Sequence, residues 1–143
     1  MRRERAVHRL QLTVLLTVTV LSACGSSPAT RPASPQVRAT IVHLVQAQFA
    51  HLRVGTTPVA QIEVGPVRVA NSDPHFAVTT VTPRNRQGRI LDNSAALVLM
   101  EAGGTWAVIL GPGTAFPEEC QRPTPRPIRQ LMCPNPYAVL GRG

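Results

Sequence analysis

Lysine is absent from this chain, and aromatic side chains make up only 3% of its 143 residues. Nucleic-acid binders need basic clusters with aromatics set among them for base stacking. Here every basic residue is Arg, and beyond the first nine residues they are scattered, which argues against a DNA or RNA partner. The shortage of aromatics also means that a core must be built from Val, Leu, Ile and Ala. No apolar run reaches the roughly 20 residues that span a bilayer as a helix. No Gly-x-Ser-x-Gly elbow, no phosphate loop and no His pair at i, i+4 is present, so no motif for hydrolysis, nucleotide binding or metal chemistry stands out. The 43% hydrophobic content nevertheless argues against disorder throughout.

What is present starts at the N-terminus. Arg2 to Arg9 form a basic segment, and Leu10 to Val20 a mainly apolar one. Leu21-Ser22-Ala23-Cys24 then closes it with small residues before a cysteine. These are the three parts of an export signal. The tetrapeptide resembles the lipobox of bacterial prolipoproteins, and that resemblance implies cleavage before Cys24 and lipid attachment to its sulfur. The expected organisation is a cleaved signal over 1–23, a lipidated Cys24 with a flexible tether over 24–36, and one domain over 37–143. Residues 25–36 are small, polar and Pro-rich, and a dozen of them would reach roughly 35 Å when extended. Removing the signal takes away four Arg and one Glu, so the formal charge falls from +8 to +5.

Three cysteines are an odd number for an exported protein. If lipid occupies Cys24, then Cys120 and Cys133 remain as a pair. A bridge between them would close a loop of about 14 residues, worth roughly 3 kcal/mol on the chain-entropy model. The alternative is two free buried thiols.

The domain is expected to open with an amphipathic helix of about 18 residues. Ser34 is a suitable N-cap, Pro35 suits the first turn, and Gly55 lies past the end. Val37, Ile41, Leu44, Val45, Phe49 and Leu52 make its apolar stripe. Alternating runs at 59–64 and 67–70 read as strands, as does 75–82. Asn71-Ser72-Asp73-Pro74 reads as a turn and Pro83 to Arg89 as a polar loop. Ala95 to Glu101 and Thr105 to Leu110, joined through Ala102-Gly103-Gly104, read as a β-hairpin. Both faces of this hairpin are apolar, so it should be central in its sheet and covered on both sides. A stapled tail with a short helix at 128–132 should cover part of the second face.

The order of helix, Ser72-Asp73-Pro74 turn into His75-Phe76-Ala77, hairpin ending Gly104-Thr105-Trp106-Ala107-Val108, following Gly-Pro-Gly-Thr and late Cys pair is similar to small exported actinobacterial proteins of unknown function. The likeness runs over roughly 37–133. It implies a compartment and a fold, and no catalytic residue travels with it.

Candidate chemistry is thin. His43 and His51 lie about 80° apart around a helix, the wrong spacing for a shared metal. Ser72, Asp73 and His75 hold the residue types of a hydrolase triad but sit too close in sequence to converge. Glu63, Asp92 and Glu101 are unpaired by spacing. Arg84, Arg86 and Arg89, with Asn85 and Gln87, could meet an anionic partner. The expectation is therefore an α+β domain, with one N-terminal helix on an antiparallel sheet of four to five strands and a disulfide-closed C-terminal tail. Its expected role is a non-enzymatic, cell-surface lipoprotein on the outer face of the membrane, without cofactor or metal. It would bind an envelope protein or anionic wall polymer; the second expectation is a small-ligand carrier or sensor.

Overall fold

The computed structural model describes residues 29–133 and 135–141. Cys24, the expected signal and the first part of the expected tether lie outside the described residues. The fold is α+β. Strands β1 (Thr30–Pro32), β5 (Arg68–Ala70), β6 (Phe76–Arg84), β7 (Ala95–Ala102) and β8 (Thr105–Gly113) lie side by side in that order. Strand β4 (Gln61–Val64) pairs with the far end of β6, so β4 and β5 share one edge of that strand, and every pairing is antiparallel. A separate hairpin joins β2 (Arg53–Val54) to β3 (Thr57–Pro58).

Helix α1 (Pro35–Gln48) starts where its chemistry says it should. Ser34 is the N-cap, its hydroxyl accepting from the Val37 N–H at 3.3 Å, and Pro35 occupies the first turn. The helix is shorter than its apolar stripe implied. From Phe49 onward the chain tightens: the amides of Ala50 and Leu52 bond three residues back, to Ala47 and Phe49. Leu52 accepts from the Val59 N–H at 3.0 Å. It leaves the helix and stands 39% exposed. Gly55 belongs to the β2–β3 turn rather than marking a helix stop.

The tether expectation also needs correcting. Residues 30–32 form strand β1, paired Thr30 to Ala70 and Pro32 to Arg68, and Thr30 is buried. The Arg68 guanidinium bonds the Thr30 hydroxyl at 2.9 Å and its carbonyl at 3.1 Å. An edge strand tolerates Pro32, because its missing N–H is needed only on a side with a neighbour.

The doubly apolar hairpin is covered on both faces, as its pattern requires, but it is not central: β7 lies inside the sheet and β8 forms its outer edge. On one face Leu97, Leu99 and Trp106 pack with Ile41 and Val45 of α1. On the other, Ala96 and Val98 pack with Val78, Leu131 and Met132. Leu97, Val98 and Leu99 are wholly buried. One detail departs from simple alternation. Leu99 pairs with Val108 but Val98 with Leu110, so Ile109 is an extra residue on β8. This bulge moves Leu110 to the face opposite Trp106 and Val108.

Beyond the sheet, α2 (Pro117–Gln121), α3 (Arg126–Met132) and α4 (Pro136–Leu140) wrap the second face. Cys120 and Cys133 form a disulfide between the end of α2 and the end of α3, with Cα atoms 5.7 Å apart. Asn135 caps α4, its side-chain oxygen accepting from the Tyr137 N–H at 2.9 Å. The Asn135-Pro136 pair was the available signal for this helix.

Candidate functional site

The end of the sheet near Arg84 gathers the last residues of α1, the β2–β3 hairpin and the loop before β7. Between them lies a cleft of ≈ 340 Å³. Its floor is Ile62, Val81 and Ala95 from the sheet; Phe49, Leu52 and Val54 overhang it. Arg53, Asp92 and Asn93 supply the polar groups in its lining. The hairpin that forms one wall is held by the Arg53 guanidinium donating to the Thr56 carbonyl. Asp92 accepts from the Asn93 N–H at 2.7 Å. A cavity of this size, mostly apolar with a few polar groups, suits a small ligand.

This cleft was not legible in the sequence. The sequence pattern puts Leu52 on the helix stripe and Pro83 in a polar loop, and it leaves Asp92 as an unpaired acid. Only β-pairing brings residues so distant in the chain to one place.

The charged loop is more ordered than its composition suggests. The buried Asn85 side chain accepts from the Gln87 N–H at 3.0 Å and the Arg89 N–H at 2.9 Å. Pro83 and Arg84, expected in the loop, belong to β6. Arg84 is occupied: it donates to Glu63 at 2.6 Å and to the Gly88 carbonyl at 2.7 Å. Among the described residues the guanidiniums of Arg86 and Arg89 are without a partner. Two cations, rather than three, therefore remain for an anion.

The triad residue types do not converge. The Ser72 hydroxyl donates to Gln130 on α3 at 2.5 Å. Asp73 accepts from the His75 N–H at 3.0 Å, as a turn-forming Asp does. The His75 imidazole meets Glu101 rather than Ser72. His43 and His51 are exposed. Among the described residues no group of three or more His, Cys, Asp or Glu is placed to hold a metal ion. No described helix is long and apolar enough to cross a membrane.

A second concavity lies on the other face of the sheet, beside α4. Thr82 and Ser94 share a hydroxyl hydrogen bond of 2.6 Å there, and the Tyr137 hydroxyl donates to the Ser94 carbonyl. Burial raises the Tyr137 phenol above its ordinary value of 10.0, which keeps it a neutral donor.

No protein-family model matches the chain, and neither the curated proteins nor the solved structures yield a match. Function has to be argued from the geometry.

Proposed function

We propose that this chain is an envelope lipoprotein, anchored through Cys24, that binds a small apolar or amphiphilic ligand in the cleft between α1, the β2–β3 hairpin and the sheet. One observation carries the reading: the cleft at Leu52, where apolar side chains from five separate segments line a cavity of ≈ 340 Å³. A flat apolar patch would have favoured docking of a protein partner. Among the described residues the large exposed apolar side chains are instead Leu52, in the cleft, and Ile90. This moves the small-ligand reading ahead of the partner-binding one.

The chain's path gives the cleft an orientation under the anchor reading. The Asn71 N–H donates to the Ala29 carbonyl at 3.0 Å, which ties the start of the described chain to the Phe76 end of β6. Pro83, on the cleft, is at the other end. Nine residues of strand separate the two ends by about 27 Å. A lipid at Cys24 would thus hold the domain with its cleft turned away from the membrane.

Two experiments test this. The apolar probe N-phenyl-1-naphthylamine should bind the unlipidated domain with increased fluorescence, and Leu52→Asp should weaken it about tenfold by removing one apolar contact. Because Leu52 is partly exposed, the variant should keep its fold. Absence of probe binding, or binding indifferent to Leu52→Asp, overturns the ligand reading. For the anchor, Cys24→Ala should abolish metabolic fatty-acid labelling; persistent label means the lipobox reading is wrong.

A further inference from the structure

The second face of the sheet is covered over only part of its area. The stapled tail packs on Ala70, Val78, Ala96 and Val98. Farther along the strands the same face turns polar. Position by position, β6 alternates, so that Val78, Thr80 and Thr82 share this face while Ala77 and Val81 pack toward α1. Glu63 stands opposite Thr82 on β4. Glu63, Thr80, Thr82 and Ser94 floor a groove of ≈ 370 Å³, walled by Tyr137 and Leu140 of α4 on one side and Gly65-Pro66 on the other.

The hydrogen-bonding capacity of this groove is only partly used. Each hydroxyl offers one donor and two acceptor sites. Thr82 and Ser94 spend one proton on each other and keep a second for an outside acceptor. The Thr80 hydroxyl, lying over Gly65, is without a hydrogen-bond partner among the described residues. Glu63 receives both of its Arg84 contacts on Oε2, at the half-exposed end of the side chain, which leaves Oε1 free to accept.

Charge narrows the ligand. The lining holds one carboxylate and no cation, so an anion has no counter-charge there. The carboxylate is already matched by Arg84, so a cation gains little. What is left is a set of donors and acceptors spaced along the strands, beside the flat ring of Tyr137 and the pyrrolidine of Pro66. Adjacent hydroxyls on a ring, each donor and acceptor at once, are the chemistry that uses such a set, with the C–H face of the ring set against an aromatic wall. We propose that this groove binds a neutral sugar residue of a glycan, through Glu63, Thr80 and the Thr82–Ser94 pair. The site is separate from the apolar cleft and stands or falls independently of it.

The test is a titration of the ¹⁵N-labelled domain with N,N′,N″-triacetylchitotriose and with maltotriose, to concentrations on the order of 10 mM. One or both should shift the amides of Gly65, Thr80, Thr82 and Ser94. Thr80→Val, which keeps the side-chain shape and breaks no internal hydrogen bond, should weaken binding about tenfold, the ratio implied by one lost hydrogen bond. Glu63→Gln should weaken it as well. The proposal is overturned if neither trisaccharide shifts these amides, if the shifts gather at Leu52 instead, or if Thr80→Val binds as the wild type does. It is equally overturned if inorganic phosphate or spermidine shifts these amides in place of the sugars.

Discussion

Gly111→Ala should lower the stability of this domain by about 2–5 kcal/mol, more than a substitution at any of its loop glycines. Two costs combine. Gly111 has φ +96°, a conformation that costs an L-residue about 1–2 kcal/mol. A Cβ there would also lie 2.3 Å from the Ala96 carbonyl oxygen and 3.2 Å from Leu97 Cδ2. The oxygen belongs to the backbone of β7, paired on both sides by β6 and β8, so it has little freedom to retreat. Overpacking of this kind costs a further 1–3 kcal/mol or so. The residue sits in the irregular stretch where Ala96 pairs with Gly113 and Val98 with Leu110, so bulged β8 must cross β7 closely. Gly88→Ala is the control. Its φ is +77° with nothing within 4 Å of the added carbon, so it bears the conformational cost alone, about 1–2 kcal/mol. Urea midpoints for the two variants separate the terms. Equal losses would mean that the Ala96 contact is relieved by a small shift and carries no energy.

The same region shows what the sequence could and could not disclose. The hairpin was legible because both faces of β7 are apolar in period two: Leu97 and Leu99 on one side, Ala96 and Val98 on the other. Such a pattern calls for cover on both faces, and β7 has it between β6 and the edge strand β8. The start of α1 was legible because capping is local: Ser34 and Val37 are three residues apart. The bulge at Ile109 was invisible, since alternation continues through it in sequence while the pairing slips.

Strand β1 was hidden for a different reason. Thr30-Arg31-Pro32 has the composition of a tether, and what makes it a strand is an edge offered by Arg68–Ala70, about forty residues away. Tertiary pairing outweighed local preference there. The apolar cleft and the hydroxyl groove were hidden in the same way. Leu52, Val81 and Ala95 meet only after the sheet has formed, as do Glu63, Thr80 and Tyr137. The sequence showed Thr80 and Thr82 as ordinary β-branched strand residues. That their face is left uncovered depends on where the stapled tail stops, which no local pattern records.

That tail is the ground of the second large effect. Replacing both Cys120 and Cys133 by Ser should cost about 3 kcal/mol, as expected for opening a loop of this length. The loss should be uneven over the molecule. Helix α3 carries Leu131 and Met132, both wholly buried, onto the second face of the sheet. Only seven residues long, it is marginal as a helix without tertiary support. Its polar tie to the sheet side is the Ser72–Gln130 contact. The helix α1 face has no such dependence, because Ile41 and Val45 are carried by a capped helix of 14 residues. Without the bridge, the tail should therefore open locally before the sheet unfolds, exposing Val78 and Val98 while Leu97 and Leu99 stay covered. Dye binding to newly exposed apolar surface should rise at denaturant concentrations where the far-ultraviolet signal of the sheet is still native, and the amides that pair β6 with β7 should keep their protection from hydrogen exchange. In the wild type, peptide mapping without reduction should recover Cys120 and Cys133 in one linked fragment. A double variant that unfolds in a single step, with no early dye binding, would show instead that packing of Leu131 and Met132 alone holds the tail, and that the staple serves only to narrow the unfolded ensemble.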